Sequence, residues 1–143
     1  VIDPTTRMVI AGVRSADGKR LAAAPALLRS PLRPRVAPQP GGNTTLAIVA
    51  TNARLTKAEV NRVALMADDG LARAINPSHT IGDGDTVFSL ATGGWDGTAT
   101  VTMIGALAAD AMAEAIVRAV SKAESLPGIP SGRELGTVPA RIK

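Results

Sequence analysis

From residue 44 onward the sequence alternates strand, helix, strand, helix, the order of an α/β layered fold. Three observations carry this. Residues 45–51 and 86–92 are short apolar runs rich in strand formers. Residues 56–75 hold apolar side chains at helical spacing behind a capping signal. Residues 100–123 repeat small and apolar residues over a length that only a helix uses. The order alone says nothing about function.

Before residue 44 the pattern is different. Val1-Ile2-Asp3-Pro4-Thr5-Thr6 reads as the end of a strand entering an Asp-Pro turn. Residues 7–14 form the next predicted strand, and Ala16-Asp17-Gly18-Lys19 the turn behind it. A chain that opens on a strand's last residues is expected to continue a longer protein upstream. Pro25, Pro31, Pro34, Pro38 and Pro40 crowd residues 25–42. Proline lacks the backbone donor and is barred from helix interiors, so a connector is expected here. It is either a plain surface loop or a segment that delivers the next residues to a site.

Gly41-Gly42-Asn43-Thr44 joins that connector to the first apolar strand. Two glycines give the backbone conformations closed to other residues. A hydroxyl residue heading a strand behind such a turn suits a nucleophile freed by chain cleavage. If the bond before Thr44 breaks, Thr44 gains an α-amine beside its own hydroxyl. That amine can serve as general base for Oγ. The plainer alternative is that Thr44 only opens a strand.

Residues 45–51 are almost wholly apolar, as in a strand buried on both faces at the centre of a sheet. Asn52-Ala53-Arg54 makes a turn. Thr56-Lys57-Ala58-Glu59 is a capping box, and the helix it starts is expected to reach about Ile75. Val60, Val63, Ala64, Ala67, Leu71 and Ala74 form its apolar stripe. Asn76-Pro77 stops it. Residues 78–85 make a tight loop, and residues 93–97 a turn after the second strand. In the last helix Ile104, Leu107, Ala108, Ala111, Met112, Ala115, Ala119 and Val120 are expected near the buried face. From Ser125 the chain is rich in Pro and Gly without periodicity, and reads as a tail.

Composition narrows the chemistry. The 143 residues suit one domain or a piece of one. There is no Cys, which removes disulfides, thiolate metal sites and Cys nucleophiles. A single His argues against a histidine-built metal site. No apolar run approaches the roughly 20 residues of a membrane span. No signal peptide is visible, although Val1 is not an initiator Met, and a cytoplasmic location is expected. Residues 1–43 hold seven Lys/Arg against Asp3 and Asp17, a net +5; residues 44–143 hold nine against ten acids, a net −1. The positive charge thus sits on a hairpin and loop without aromatics, which argues against nucleic-acid binding.

The remaining catalytic inventory is short. A Ser-His-Asp triad would need His79, and no Gly-x-Ser-x-Gly elbow exists. His79, close behind a helix-ending proline, reads better as a turn residue. Asp83-Gly84-Asp85 places two carboxylates at the entrance of the second strand. Such positions suit a cleft, but an ordinary turn is the alternative, since Asp17, Asp69 and Asp96 also precede glycine. Two carboxylates are too few for a calcium loop. The glycines form no phosphate-binding pattern.

At this point a resemblance emerges. Residues 43–53, then Leu71-Ala72-Arg73-Ala74-Ile75, then His79-Thr80 and Asp83-Gly84-Asp85-Thr86-Val87-Phe88, resemble the L-aminopeptidase/D-esterase family in order and spacing. That family includes β-aminopeptidases and nylon-oligomer endo-hydrolases. The resemblance covers most of residues 1–124. It implies an α+β fold, a four-layer αββα sandwich of the N-terminal-nucleophile-like aminopeptidase/ornithine acetyltransferase type, of which this chain supplies only part. It implies a precursor that cleaves itself into α and β parts, the β part beginning with the nucleophile. The branch with Thr cleaves an Asn–Thr bond, which matches Asn43-Thr44, and supports the nucleophile with an Asp-Gly-Asp triplet, which matches Asp83 and Asp85. Residues 1–43 would then end the α part, and residues 44–143 would be the β part.

The resemblance further implies an upstream α part of the same precursor as partner, a homo-oligomer of αβ units, and a small amide or peptide substrate. It implies no cofactor, no metal, no nucleic acid and no membrane. A Tyr, a Lys and an oxyanion-stabilising Asn come from the α part in such enzymes, and no residue here is assigned to them. Val1-Ile2-Asp3 looks like the stretch just after that Asn. The expected activity is a self-processing amide hydrolase with acyl transfer to water. The alternatives are an ornithine/glutamate acetyltransferase-like enzyme, or a non-catalytic remnant.

Overall fold

The computed structural model describes residues 1–31 and 44–138. Among them the order is α1 (Ala24–Arg29), β1 (Leu46–Thr51), α2 (Lys57–Ala74), β2 (Thr86–Ala91) and α3 (Val101–Lys122). The architecture is α+β, with three helices and one small parallel sheet. No helix among the described residues is long and apolar enough to cross a membrane.

β1 and β2 pair in parallel, from Leu46 opposite Thr86 to Thr51 opposite Ala91. Parallel neighbours need a crossover, and α2 supplies it. Thr56 starts α2 as the capping box requires: its N–H donates to Glu59 Oε2 at 2.7 Å, and the Glu59 N–H donates back to Thr56 Oγ1 at 3.3 Å.

Burial of the strands on both faces is not observed. Both strands alternate exposed and half-buried residues. Leu46 (71% exposed), Ile48 (69%), Phe88 (56%) and Leu90 (45%) form one bare apolar face. The described residues supply only two strands, so an apolar run written for two covered faces has one cover.

The chain divides into two compact units. One holds β1, β2, α2 as far as Ala72, and α3 as far as Ala113. In it Val63, Ala67 and Leu71 of α2 are fully buried, as the stripe predicts. Gly70 brings α2 and α3 together. A Cβ there would lie 2.5 Å from the Ala109 carbonyl oxygen and 2.6 Å from Met112 Cβ. Gly70 thus lies inside α2, as the predicted helix has it, at a close contact with α3. Gly105 stands in the same way against Met66. The buried face of α3 runs through Gly105, Ala108, Ala109, Met112, Ala113, Val117 and Ser121. Ala108 and Met112 match the predicted stripe and Ile104 and Val120 are half-buried, but Leu107, Ala111, Ala115 and Ala119 are exposed.

The other unit takes in the first described segment, Arg73–Pro77, and the chain from Glu114. Ile10 and Ala74 are fully buried there, and the Ile2 N–H donates to the Ala74 carbonyl at 2.7 Å. Three expectations are corrected. Residues 7–14 are not a strand; they make only single antiparallel bridges, Ile2 to Val9 and Arg14 to Leu21, because no long partner lies alongside. The stretch opening at Pro25 begins as a short helix, α1, because proline is compatible with a first helical turn; its residues 32–42 lie outside the described residues. The segment after Ser125 is not a loose tail. Arg133 Nε donates to the Ser121 carbonyl at 2.9 Å, and Thr137 Oγ1 to the Ile10 carbonyl at 2.9 Å.

Candidate active site

The parallel register sets Thr45 beside the loop that enters β2. The Thr86 N–H donates to the Thr45 carbonyl at 2.9 Å, the first rung of the ladder. One step earlier, the Thr45 N–H donates to Asp85 Oδ1 at 2.8 Å. Thr44 lies just before β1 and is exposed. A Cβ on Gly84 would come 2.9 Å from Thr44 Oγ1. The middle residue of the Asp-Gly-Asp triplet therefore passes directly against the Thr44 hydroxyl, and a glycine leaves room for it.

Asp83 is held differently. Its Oδ2 accepts from the Thr80 N–H at 2.9 Å and from Thr80 Oγ1 at 2.8 Å. Its own N–H donates to the Thr80 carbonyl at 2.9 Å. Thr80 belongs to the His79-Thr80 pair that carries the resemblance, but no role was read for it; the Thr-x-x-Asp spacing was the available signal. Asn43 lies outside the described residues.

His79 precedes Thr80 with φ +54°, and its Nε2 lies 3.9 Å from Asp68 Oδ2. It is a turn residue facing α2. A cleft of about 610 Å³ lies at the carboxyl ends of the strands, lined by Arg54, Thr56, Glu59 and Thr92. Asp83 and Asp85 stand at the opposite, amino ends.

Chemically, a carboxylate one residue from Thr44 favours a positive charge beside it, such as the ammonium of a chain terminus. The Thr45 N–H holds that carboxylate at the head of β1.

The model of peptidase family S58 matches residues 4–133. The chain belongs to that family. An uncharacterised aminopeptidase of Mycobacterium leprae is 49% identical over 102 residues, covering 62% of this chain and 28% of that protein. An uncharacterised aminopeptidase of Mycobacterium tuberculosis H37Rv is 42% identical over 106 residues, covering 65% of this chain and 31% of that protein. A 6-aminohexanoate-oligomer endohydrolase of Paenarthrobacter ureafaciens is 34% identical over 89 residues, covering 54% and 25% respectively. The S58 chain described here thus spans less than a third of the length of these relatives. The names fit the resemblance to aminopeptidases and nylon-oligomer hydrolases read from the Asn-Thr junction and the Asp-Gly-Asp triplet.

Proposed function

We propose that the protein is a self-processing amide hydrolase with Thr44 as its N-terminal nucleophile. The observation that carries this reading is the seating of the Asp83-Gly84-Asp85 triplet against Thr44, with Asp85 bonded to the next residue's N–H at 2.8 Å. Membership of a peptidase family supports it, as do relatives named aminopeptidase and 6-aminohexanoate-oligomer endohydrolase.

In the first reaction Thr44 Oγ attacks the Asn43 carbonyl carbon. The Asn43–Thr44 C–N bond breaks and an ester forms on Oγ. Water then hydrolyses the ester, leaving an Asn43 carboxylate and a Thr44 amine. In the second reaction that amine takes the Oγ proton as Oγ attacks the carbonyl of an amide substrate. The amine product leaves with a proton, and water hydrolyses the acyl-enzyme. Asp83 and Asp85 orient the Thr44 amine and hold its ammonium form. Donors to the oxyanion would come from an upstream α part of the same precursor.

That part also completes the fold in this reading. A second sheet against Leu46, Ile48, Phe88 and Leu90 would cover their face and give the four-layer αββα sandwich. Residues 1–43 would end the α part and residues 44–143 form the β part, with αβ units joining into a homo-oligomer. The test is intact mass and N-terminal sequencing of the purified full-length protein. A new terminus reading Thr-Thr-Leu-Ala-Ile is expected. A protein that stays intact at Asn43 after long incubation would sink the reading.

A further inference from the structure

We propose that Thr80 is a positioning residue for Asp83, and through it for the acidic pair beside Thr44. This rests on the reading of Thr44, Asp83 and Asp85 as the working site. The basis is a three-point link. Both the N–H and the hydroxyl of Thr80 donate to one oxygen, Asp83 Oδ2, at 2.9 and 2.8 Å. The Asp83 N–H returns a bond to the Thr80 carbonyl at 2.9 Å.

Hydrogen bonds to a carboxylate are roughly twice as strong as neutral ones. Two donors on one oxygen fix the orientation of the carboxylate plane, which a backbone turn alone leaves free. Thr80 is exposed, so its side chain is not there to fill a core. Its own place is set from behind. His79 takes a left-handed conformation, φ +54°, that residues other than glycine rarely adopt. Its ring faces Asp68 of α2 at 3.9 Å. The turn therefore runs from α2 through His79 and Thr80 to Asp83. With Oδ2 held by Thr80, Oδ1 is the oxygen proposed to meet the Thr44 amine. The carboxylate is oriented before the charge on that amine develops, and preorganisation of this kind lowers a barrier without assisting substrate binding.

The experiment uses the matured full-length enzyme and a chromogenic amide. Thr80→Val keeps the shape and the backbone donor and removes the hydroxyl. It is expected to lower kcat about tenfold with KM unchanged, the scale of one lost bond to a charged group. Thr80→Ser is expected to restore kcat. In an Asp83→Asn background Thr80→Val should cause no further loss, because the two residues act as one unit. If Thr80→Val fails to fold, Thr80→Ala at this exposed position carries the same expectations. Normal turnover in Thr80→Val, alongside a large loss in Asp83→Asn, overturns the role of Thr80 and leaves the site reading standing. A Thr80→Val loss that adds in full to the Asp83→Asn loss does the same. Near-normal turnover in Asp83→Asn overturns both.

Discussion

The backbone N–H of Thr45 points at the carboxylate of Asp85, 2.8 Å away, across the start of the two-stranded sheet. A hydrogen bond to the residue after the proposed nucleophile sets Asp85 without occupying Thr44 itself. In the matured enzyme Asp85→Asn keeps an oxygen acceptor for that N–H and removes the charge. Turnover is expected to fall at least ~100-fold, the lower end for a positioned proton-transfer group. Melting temperature should change little. Asp83→Asn is expected to behave alike, and each variant must first be checked for cleavage by mass.

Thr44→Ala is expected to abolish both chain cleavage and amide hydrolysis, since both are proposed to start from Oγ. Thr44→Ser keeps a hydroxyl and should still cleave. Gel analysis of the full-length variants reads the first reaction, and a chromogenic amide the second. Cleavage in Thr44→Ala would remove Thr44 from the chemistry.

Gly70 and Gly105 both lie between α2 and α3 but should respond differently to alanine. A Cβ on Gly70 meets the Ala109 backbone oxygen at 2.5 Å, so the helices must separate. A Cβ on Gly105 meets the side chain of Met66, which can turn away. Gly70→Ala is expected to cost about 1–3 kcal/mol, as overpacking does, and Gly105→Ala distinctly less. Thermal melts of the two variants give the comparison; equal losses would contradict it.

The α2 cap gives a pH prediction. The Thr56 N–H, and then its hydroxyl, hold the Glu59 carboxyl below its ordinary value of 4.5. A carboxyl lowered on folding adds stability above its unfolded value, and that stability is lost as pH falls through the folded value. Carboxyl carbon shifts should place the Glu59 titration below that of free glutamate. Removing the Thr56 hydroxyl in Thr56→Val should move it part of the way back, and an unmoved titration would show that the hydroxyl plays no part.

Some elements were legible because their signals are local. Thr56 and Glu59 mark the start of α2 by spacing alone, and the β-forming runs over residues 45–51 and 86–92 marked both strands to within a residue at each end. The buried face of α3 was not legible. An alanine-rich helix offers little contrast between faces, so Leu107, expected inward, is 66% exposed while Gly105 is buried. The reason for Gly70 inside α2 was not legible either, because it lies on another helix. At the candidate site, the triplet and Thr44 could be picked out as residues. Their separate arrangements could not, because Asp85 is placed by strand register and Asp83 by the turn at Thr80.

The bare face of the sheet bears on what the proposed self-cleavage would do to the protein. Leu-Ala-Ile-Val-Ala-Thr in β1 and Thr-Val-Phe-Ser-Leu-Ala in β2 carry no charge and no proline. Each is also an edge strand in this sheet. Uncharged, strand-prone hexapeptides with free edges are the composition from which intermolecular cross-β stacking grows. A break at Asn43–Thr44 that let its products drift apart would therefore leave a sticky fragment in place of an active one. If the proposed cleavage takes place, it is expected as a nick inside a lasting assembly: the peptide bond is lost, and the two products stay together as one particle.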